Sequence, residues 1–200
     1  MIIMNNSTKS SKQAEKVRLG SIGENLVVTQ LMQRGWDAFN ANCSIKNYKS
    51  IDIVCLDSSA SESTEQWWKP KTSLIQVKTS VEDIITTGFT LEEALDKDYL
   101  WKMVKGPYVF VSVKKDKKTD TYFFRYFILP RSLFVELLHK THYYYVKDMH
   151  KDDNLVLSAP AGIRVSWLEG NPEFSPRNNA HFGNPIIEKC EDKWDNIWKE

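Results

Sequence analysis

Three short segments of the chain carry side chains suited to handling a metal ion and a phosphate. Glu24 stands in "GSIGE", Asp52 in "SIDIV", and Gln76 and Lys78 in "LIQVK". Mg²⁺ is a hard ion that takes oxygen ligands and keeps several waters, so one or two carboxylates are enough to hold it. Asp52 can supply one carboxylate, and the Gln76 side-chain oxygen and the Val77 backbone carbonyl can supply neutral oxygens. Such an ion, Mg²⁺ or Mn²⁺, lowers the pKa of a bound water and offsets charge on a phosphate. Lys78 would orient that water, help deprotonate it, or stabilise the developing charge. The set suits metal-assisted phosphodiester hydrolysis.

These groups meet only if the elements around them bring them together. The alternation in "TSLIQVKTS" predicts a strand with Ile75 and Val77 on one face and Leu74, Gln76 and Lys78 on the other. "SIDIVCLD" (50–57) predicts a second strand containing Asp52, and the pair reads as a hairpin with a long polar connection. Ahead of them, Leu19, Ile22, Leu26 and Leu31 recur at helical spacing. That helix is expected to begin at Ser10, after a frayed tail over 1–9, and to stop at Gly35. Its two glycines, Gly20 and Gly23, cost about 1 kcal/mol each relative to alanine, and a close approach of the backbone to a neighbour would be a reason for them.

Further along, "WDAFNANCS" can hold an early strand. Thr90 with Glu93 has the form of a capping box, opening a helix that Gly106-Pro107 ends. "PYVFVSV" reads as a central strand, "TYFFRYFIL" as its antiparallel partner, and Pro130 opens a helix through "RSLFVELLH". "GIRVSWL" alternates as a late strand. Ile187, Cys190, Trp194, Ile197 and Trp198 fall at the spacing of a docking helix. The order implies one α/β domain over 1–200, with a small mixed β-sheet flanked by helices. Its core spans about 12–140, and 141–200 forms an extension packed on it.

Helix "GSIGE", then "ID", then "QVK" resembles the PD-(D/E)xK nuclease superfamily in its QxK variant. The resemblance covers about residues 12–130. It implies a restriction-endonuclease-like core and a Mg²⁺-dependent site, with Asp52 as metal-binding aspartate, Lys78 as catalytic lysine and Glu24 as the helical acid. It also implies a nucleic-acid substrate, DNA ahead of RNA, and allows a homodimer or a larger defence or mobile-element complex. The chain departs from the pattern at Ile51, where a proline is usual, and at Gln76, where an acid is usual. The missing charge at Gln76 leaves a second reading, a catalytically weak or inactive module of the same fold that binds nucleic acid or a protein partner.

Composition sets bounds on these readings. With 200 residues, 42% hydrophobic and 12% aromatic, the chain can build a proper core. A formal charge of +1 argues against a strongly basic nucleic-acid binder, without speaking to local patches. Residues 101–120 do hold six lysines against Asp116 and Asp120, and Lys9, Lys12, Lys16 and Arg18 stand against Glu15 alone. Either group could contact phosphates or form a solvated face.

Cys43, Cys55 and Cys190 are too few and too scattered for a disulfide framework or a zinc site, which fits a reducing, cytoplasmic setting. No stretch has the length of a membrane span, and none reads as a signal peptide. Asp57 reads as a turn residue, and Glu82 and Asp83 as the start of a loop. Trp67 and Trp68 could stack on bases or pack over the sheet edge. His139, His142, His150 and His181 lack metal-ligand spacing and read as structural or surface residues. "NNAHFGN" lacks the cysteines and paired histidines that a histidine-based nuclease would need.

Overall fold

The computed structural model describes residues 6–43, 51–58, 70–116, 118–149, 154–170 and 184–200. The first helix, α1, spans Asn6–Met32 and so begins four residues before Ser10. Asn6, Ser7 and Thr8 are residue types that favour a helix start, and nothing between them and Ser10 breaks the ladder. Gly35, at φ +83°, ends it as expected. Strand β1 (Asp37–Asn40) follows at once, then β2 (Ile53–Asp57) and β3 (Lys71–Ser80).

Between β3 and the next long strand lie β4 (Ile84–Thr90), α2 (Leu91–Leu95) and α3 (Lys97–Met103). The Thr90–Glu93 capping box forms, with Thr90 Oγ1 accepting from Glu93 N. The single helix expected here is two. Asp96 ends α2 in an extended conformation and caps α3 by accepting from Tyr99 N, the competition with the backbone that keeps Asp out of helix interiors.

Strands β5 (Tyr108–Lys115) and β6 (Tyr122–Leu129) pair antiparallel, and α4 (Arg131–Tyr143) starts after Pro130. The main sheet is mixed, in the order β1-β2-β3-β5-β6, with only β3 and β5 parallel. The β4–α2–α3 segment supplies the crossover that a parallel pair requires.

The sheet is covered on both faces. On one, Val27 and Leu31 of α1 pack with Ile53, Cys55, Ile75, Val77 and Val111. On the other, Tyr108, Phe110, Phe127 and Leu129 meet Phe134 and Leu138 of α4 and Leu100 of α3. Tyr108 to Val113 of β5 are all buried, which is why that stretch is apolar but for Ser112 and the Tyr108 hydroxyl.

Glu82 and Asp83 lie in a short loop after β3, and beyond them stands a strand that the sequence pattern does not announce: β4 pairs with β7 (Pro160–Arg164) in a second, two-stranded sheet. Its pattern is hidden by a register break between Thr86 and Thr90, where Gly88 sits at φ +96°. "GIRVSWL" is a strand only to Arg164, after which Val165–Leu168 forms a short helix, α5.

The expected C-terminal docking helix is an extended strap ending in one 3₁₀ turn, Trp194–Trp198. Cys190 joins the α4-side core, whereas Trp194 and Ile197 join the α1-side core. The apolar spacing that looks helical serves instead a chain crossing from one face to the other. It passes over the free edge of β6, where Ile128 N donates to Cys190 O and Asp192 N to Tyr126 O, and so covers that edge.

Candidate functional site

The pairing of β2 with β3 stops at Ile53 opposite Ile75. Asp52 is therefore not within the strand, as its alternation suggested, but is the first residue outside it. Its backbone still donates to Ile75 O (3.0 Å), while its carbonyl turns to accept from Ala41 N (2.8 Å). Beyond Ile75, β3 runs on with β5 at one side and no β2 at the other. The Asp52 side chain takes over where the ladder ends. Its Oδ2 accepts from Val77 N (2.7 Å) and from Gln76 Nε2, and its Oδ1 accepts from Asn42 Nδ2 (2.9 Å).

Gln76 N donates the other way, to Pro107 O (3.0 Å). Since peptide groups alternate along a strand, both polar groups of Val77, carbonyl included, leave on the Asp52 side. Gln76 itself is buried, and its Oε1 has no hydrogen-bond partner among the described residues.

Glu24 reaches this point because α1 lies directly on β3. A Cβ at residue 23 would stand 1.8 Å from Thr79 Oγ1, so the close approach exists only with glycine there. One residue on, Glu24 Oε2 accepts from Asn40 Nδ2 (2.9 Å). Burial raises the Glu24 carboxyl above the ordinary carboxylate range; the Asn40 hydrogen bond opposes this and the nearby Asp52 adds to it.

Lys78 is half-buried and extends towards β4, its Nζ 3.5 Å from where a Cβ on Gly88 would lie. It makes no direct hydrogen bond or ion pair with a described residue, although its charge acts favourably on Glu24. Glu24, Asp52, Gln76, Val77 and Lys78 all line one cleft of about 490 Å³, whose other walls include Gly88, Glu93, Tyr99 and Lys105. The four candidate side chains thus share one solvent-connected space.

Some participants were not singled out from sequence. Asn40 and Asn42 hold Glu24 and Asp52, and the only signal for them is an alternation of amides at the end of a four-residue strand. Glu93 was read as a capping residue, which it is, but its Oε1 also accepts from Tyr99 Oη (2.9 Å) at the cleft wall.

Among the described residues no group of three or more His, Cys, Asp or Glu could hold a metal. What the cleft offers is two carboxylates and neutral oxygens, with no sulfur or imidazole. That chemistry fits a hard, water-rich ion and no other common one. The partnerless Gln76 Oε1 is the atom such an ion would satisfy.

Other candidates lie elsewhere. Asp57 is at the far end of β2, opposite Lys71. Asp83 pairs with Lys114 (2.5 Å), and Glu82 N donates to Ser80 Oγ. His139 meets Ala94 O and the buried His142 meets Gly162 O, both structural roles. Cys55 and Cys190 are buried free thiols, pushed by burial up to about 12 and about 11. Trp67, Trp68, His150, His181 and all of "NNAHFGN" but its last residue, Asn184, fall outside the described residues, as do the side chains of Lys9, Lys12 and Cys43. No described helix is long and apolar enough to cross a membrane. Compared with models of known families, with curated proteins and with solved structures, the chain gives no match.

Proposed function

We propose that this chain is a metal-dependent nuclease of the PD-(D/E)xK type, with a restriction-endonuclease-like core, that hydrolyses phosphodiester bonds in DNA ahead of RNA. The observation that carries the reading is the meeting of Glu24, Asp52, Gln76 and Lys78, from three separate segments, in one cleft beside the half of β3 that β5 pairs and β2 does not.

Asp52, Gln76 through Oε1, the Val77 carbonyl and Glu24 would hold the ion. A bound Mg²⁺ or Mn²⁺ supplies an acidified water and positive charge against the phosphate. Lys78 has an ammonium not committed to an ion pair with any described residue, so it can donate to a phosphate oxygen as negative charge builds there. Asn42 and Asn40 fix the rotamers of Asp52 and Glu24, which keeps the oxygens aimed without a ligand present.

A specific observation also favours the second reading, a module of this fold that binds without turnover. Asp52 accepts three hydrogen bonds from protein donors, enough to account for it as the cap of a strand ladder.

Purified protein incubated with DNA and Mg²⁺ or Mn²⁺ decides between them. Cleavage lost in both Asp52→Ala and Lys78→Ala, with both variants folded, is the expected result. Wild-type protein that cuts no faster than these variants would sink the nuclease reading. Calorimetric titration with Mn²⁺ should also show a site that disappears in Asp52→Ala.

A further inference from the structure

Two basic runs far apart in the sequence reach the same end of the molecule. Trp36 leads straight from α1 into Asp37, which lies opposite Leu56, itself opposite Thr72 at the start of β3. Gly23 lies against Thr79 near the end of β3. The helix therefore runs antiparallel to β3, and its first half continues past the end of the strand. At 1.5 Å per residue, Arg18 and Lys16 stand about 8 and 10 Å beyond Gly23. Residues 13–18 are exposed on every side.

The β5–β6 hairpin overshoots at the same end. Ser80 is the last residue of β3 and lies opposite Ser112. Lys114 and Lys115 follow, about 7–10 Å further on, and the turn carries Lys118. Tyr122 and Phe123, opposite Lys115 and Lys114, are 56% and 55% exposed. The side chains of Lys16, Arg18 and Lys118 have no ion-pair partner among the described residues. Among the described residues Lys114 and Lys115 form ion pairs only with the exposed Asp83 and Asp120, and Lys115 Nζ also lies over the Tyr122 ring, 5.6 Å from its centroid.

We propose that these two projections form a bipartite nucleic-acid-binding surface that grips the backbone on either side of the cleft mouth. This rests on the proposed nuclease site for its location but not for its chemistry. Free cations on both projections, with exposed rings beside the lysines of one, match what a polyphosphate strand with stackable bases presents. Lys114 is four residues along β5 from Phe110, the partner of Lys78. That is about 13 Å, or roughly four nucleotides of strand at 3.4 Å each. The surface therefore engages phosphates several nucleotides from the cleft and favours long substrates.

The experiment is anisotropy with labelled DNA and RNA of about 30 nucleotides, single-stranded and duplex, on the full chain without divalent metal. Lys16→Glu with Arg18→Glu, and separately Lys115→Glu with Lys118→Glu, should each weaken binding about tenfold or more and flatten its dependence on salt. Strands of about four nucleotides should bind wild type no better than they bind the variants. The best-bound nucleic acid identifies the partner. Wild-type affinity in both double variants, no nucleic-acid binding by wild type, or capture of an acidic protein in its place, would overturn the proposal.

Hydrolysis of bis(p-nitrophenyl) phosphate with Mn²⁺ separates this from the site itself, because that substrate has no flanking phosphates. Activity there that needs Asp52 but ignores the charge reversals leaves the site reading standing, whatever becomes of the surface.

Discussion

Gln76 Nε2 donates to Asp52 Oδ2, and the oxygen at the other corner of the same amide is buried with no partner among the described residues. A buried acceptor in that condition costs about 1–3 kcal/mol. It stands in the middle of the sheet, beside the carboxylate that closes the β2–β3 ladder. An ionised glutamate at this position could not donate to Asp52 as the glutamine does. The amide thus stabilises the metal-free arrangement while lowering the negative charge available to a cation.

Gln76→Glu should therefore move stability and metal affinity in opposite directions. Without metal, two carboxylates would face each other in a buried setting and the variant should melt below wild type, by an amount on the order of 1–3 kcal/mol. With Mn²⁺ present the order should reverse, because the added charge strengthens the site and ligand binding stabilises by mass action. Thermal melts with EDTA and with Mn²⁺ test this. A variant that melts below wild type by the same margin in both conditions would show that no cation binds beside residue 76.

The strands that carry Gln76 and Lys78 were legible because their apolar faces are buried in one regular ladder, so period-two alternation survives in the sequence. Glu24 was legible through Gly23, since a glycine inside a helix needs a reason and the contact with Thr79 is that reason. Asp52 was read one residue too deep into its strand, because a side chain that replaces a ladder acceptor occupies the position a strand residue would. β4 was missed because its bulge breaks the alternation at Gly88. The C-terminal strap was misread because residues divided between two faces of a sheet can share the spacing of residues on one face of a helix. Asn40 and Asn42 were invisible, since their roles exist only once three separate segments have met.

The two glycines of α1 should respond differently to the same substitution. Gly20→Ala meets nothing within 4 Å and should raise stability by about 0.5–1 kcal/mol through helix propensity alone. Gly23→Ala would drive a methyl into Thr79 Oγ1 and should lower stability by about 1–3 kcal/mol, as overpacking does. Adding Thr79→Ala should recover part of that loss. Urea melts on the single and double variants supply the cycle, and strictly additive effects would mean that Gly23 and Thr79 are not in contact.

His142 sets one acid limit on stability. It is buried, it meets Gly162 O through Nε2, and burial lowers its pKa to about 4. Its Nδ1 has no hydrogen-bond partner among the described residues, so a second ring proton would be left unsatisfied. The unfolded chain takes up that proton near the ordinary value of 6.5, and the folded protein resists it until about 4. Stability should fall between those values and level off below, by at most on the order of 3 kcal/mol from this group. His142→Gln, which keeps a donor for Gly162, should flatten that part of the pH profile. An unchanged slope between pH 6.5 and 4 would remove His142 as its source.

Glu191 sets a second, lower limit, and it acts on the strap. Arg125 donates to both of its oxygens (2.7 and 2.9 Å), and Lys189 adds a further pair. The Arg125 hydrogen bonds come first in holding its carboxyl down at about 2. A depressed acid stabilises the fold above its unfolded value of 4.5 and loses that contribution as pH falls towards 2. Partial exposure of Arg125 and Lys189 screens the effect, so about 1–2 kcal/mol is expected. Glu191→Gln should lower stability by that amount at pH 7 and by progressively less below pH 4.5. Because Glu191 bridges to Phe127 on the β6 edge, its loss should also raise hydrogen exchange at Ile128 and Asp192, whose amides bond across that edge. If those amides keep full protection in the variant while global stability drops, the ion pair acts elsewhere and the strap is held by its buried side chains and by bonds such as Asn196 Nδ2 to Ile128 O and Ser73 Oγ to Ile197 O.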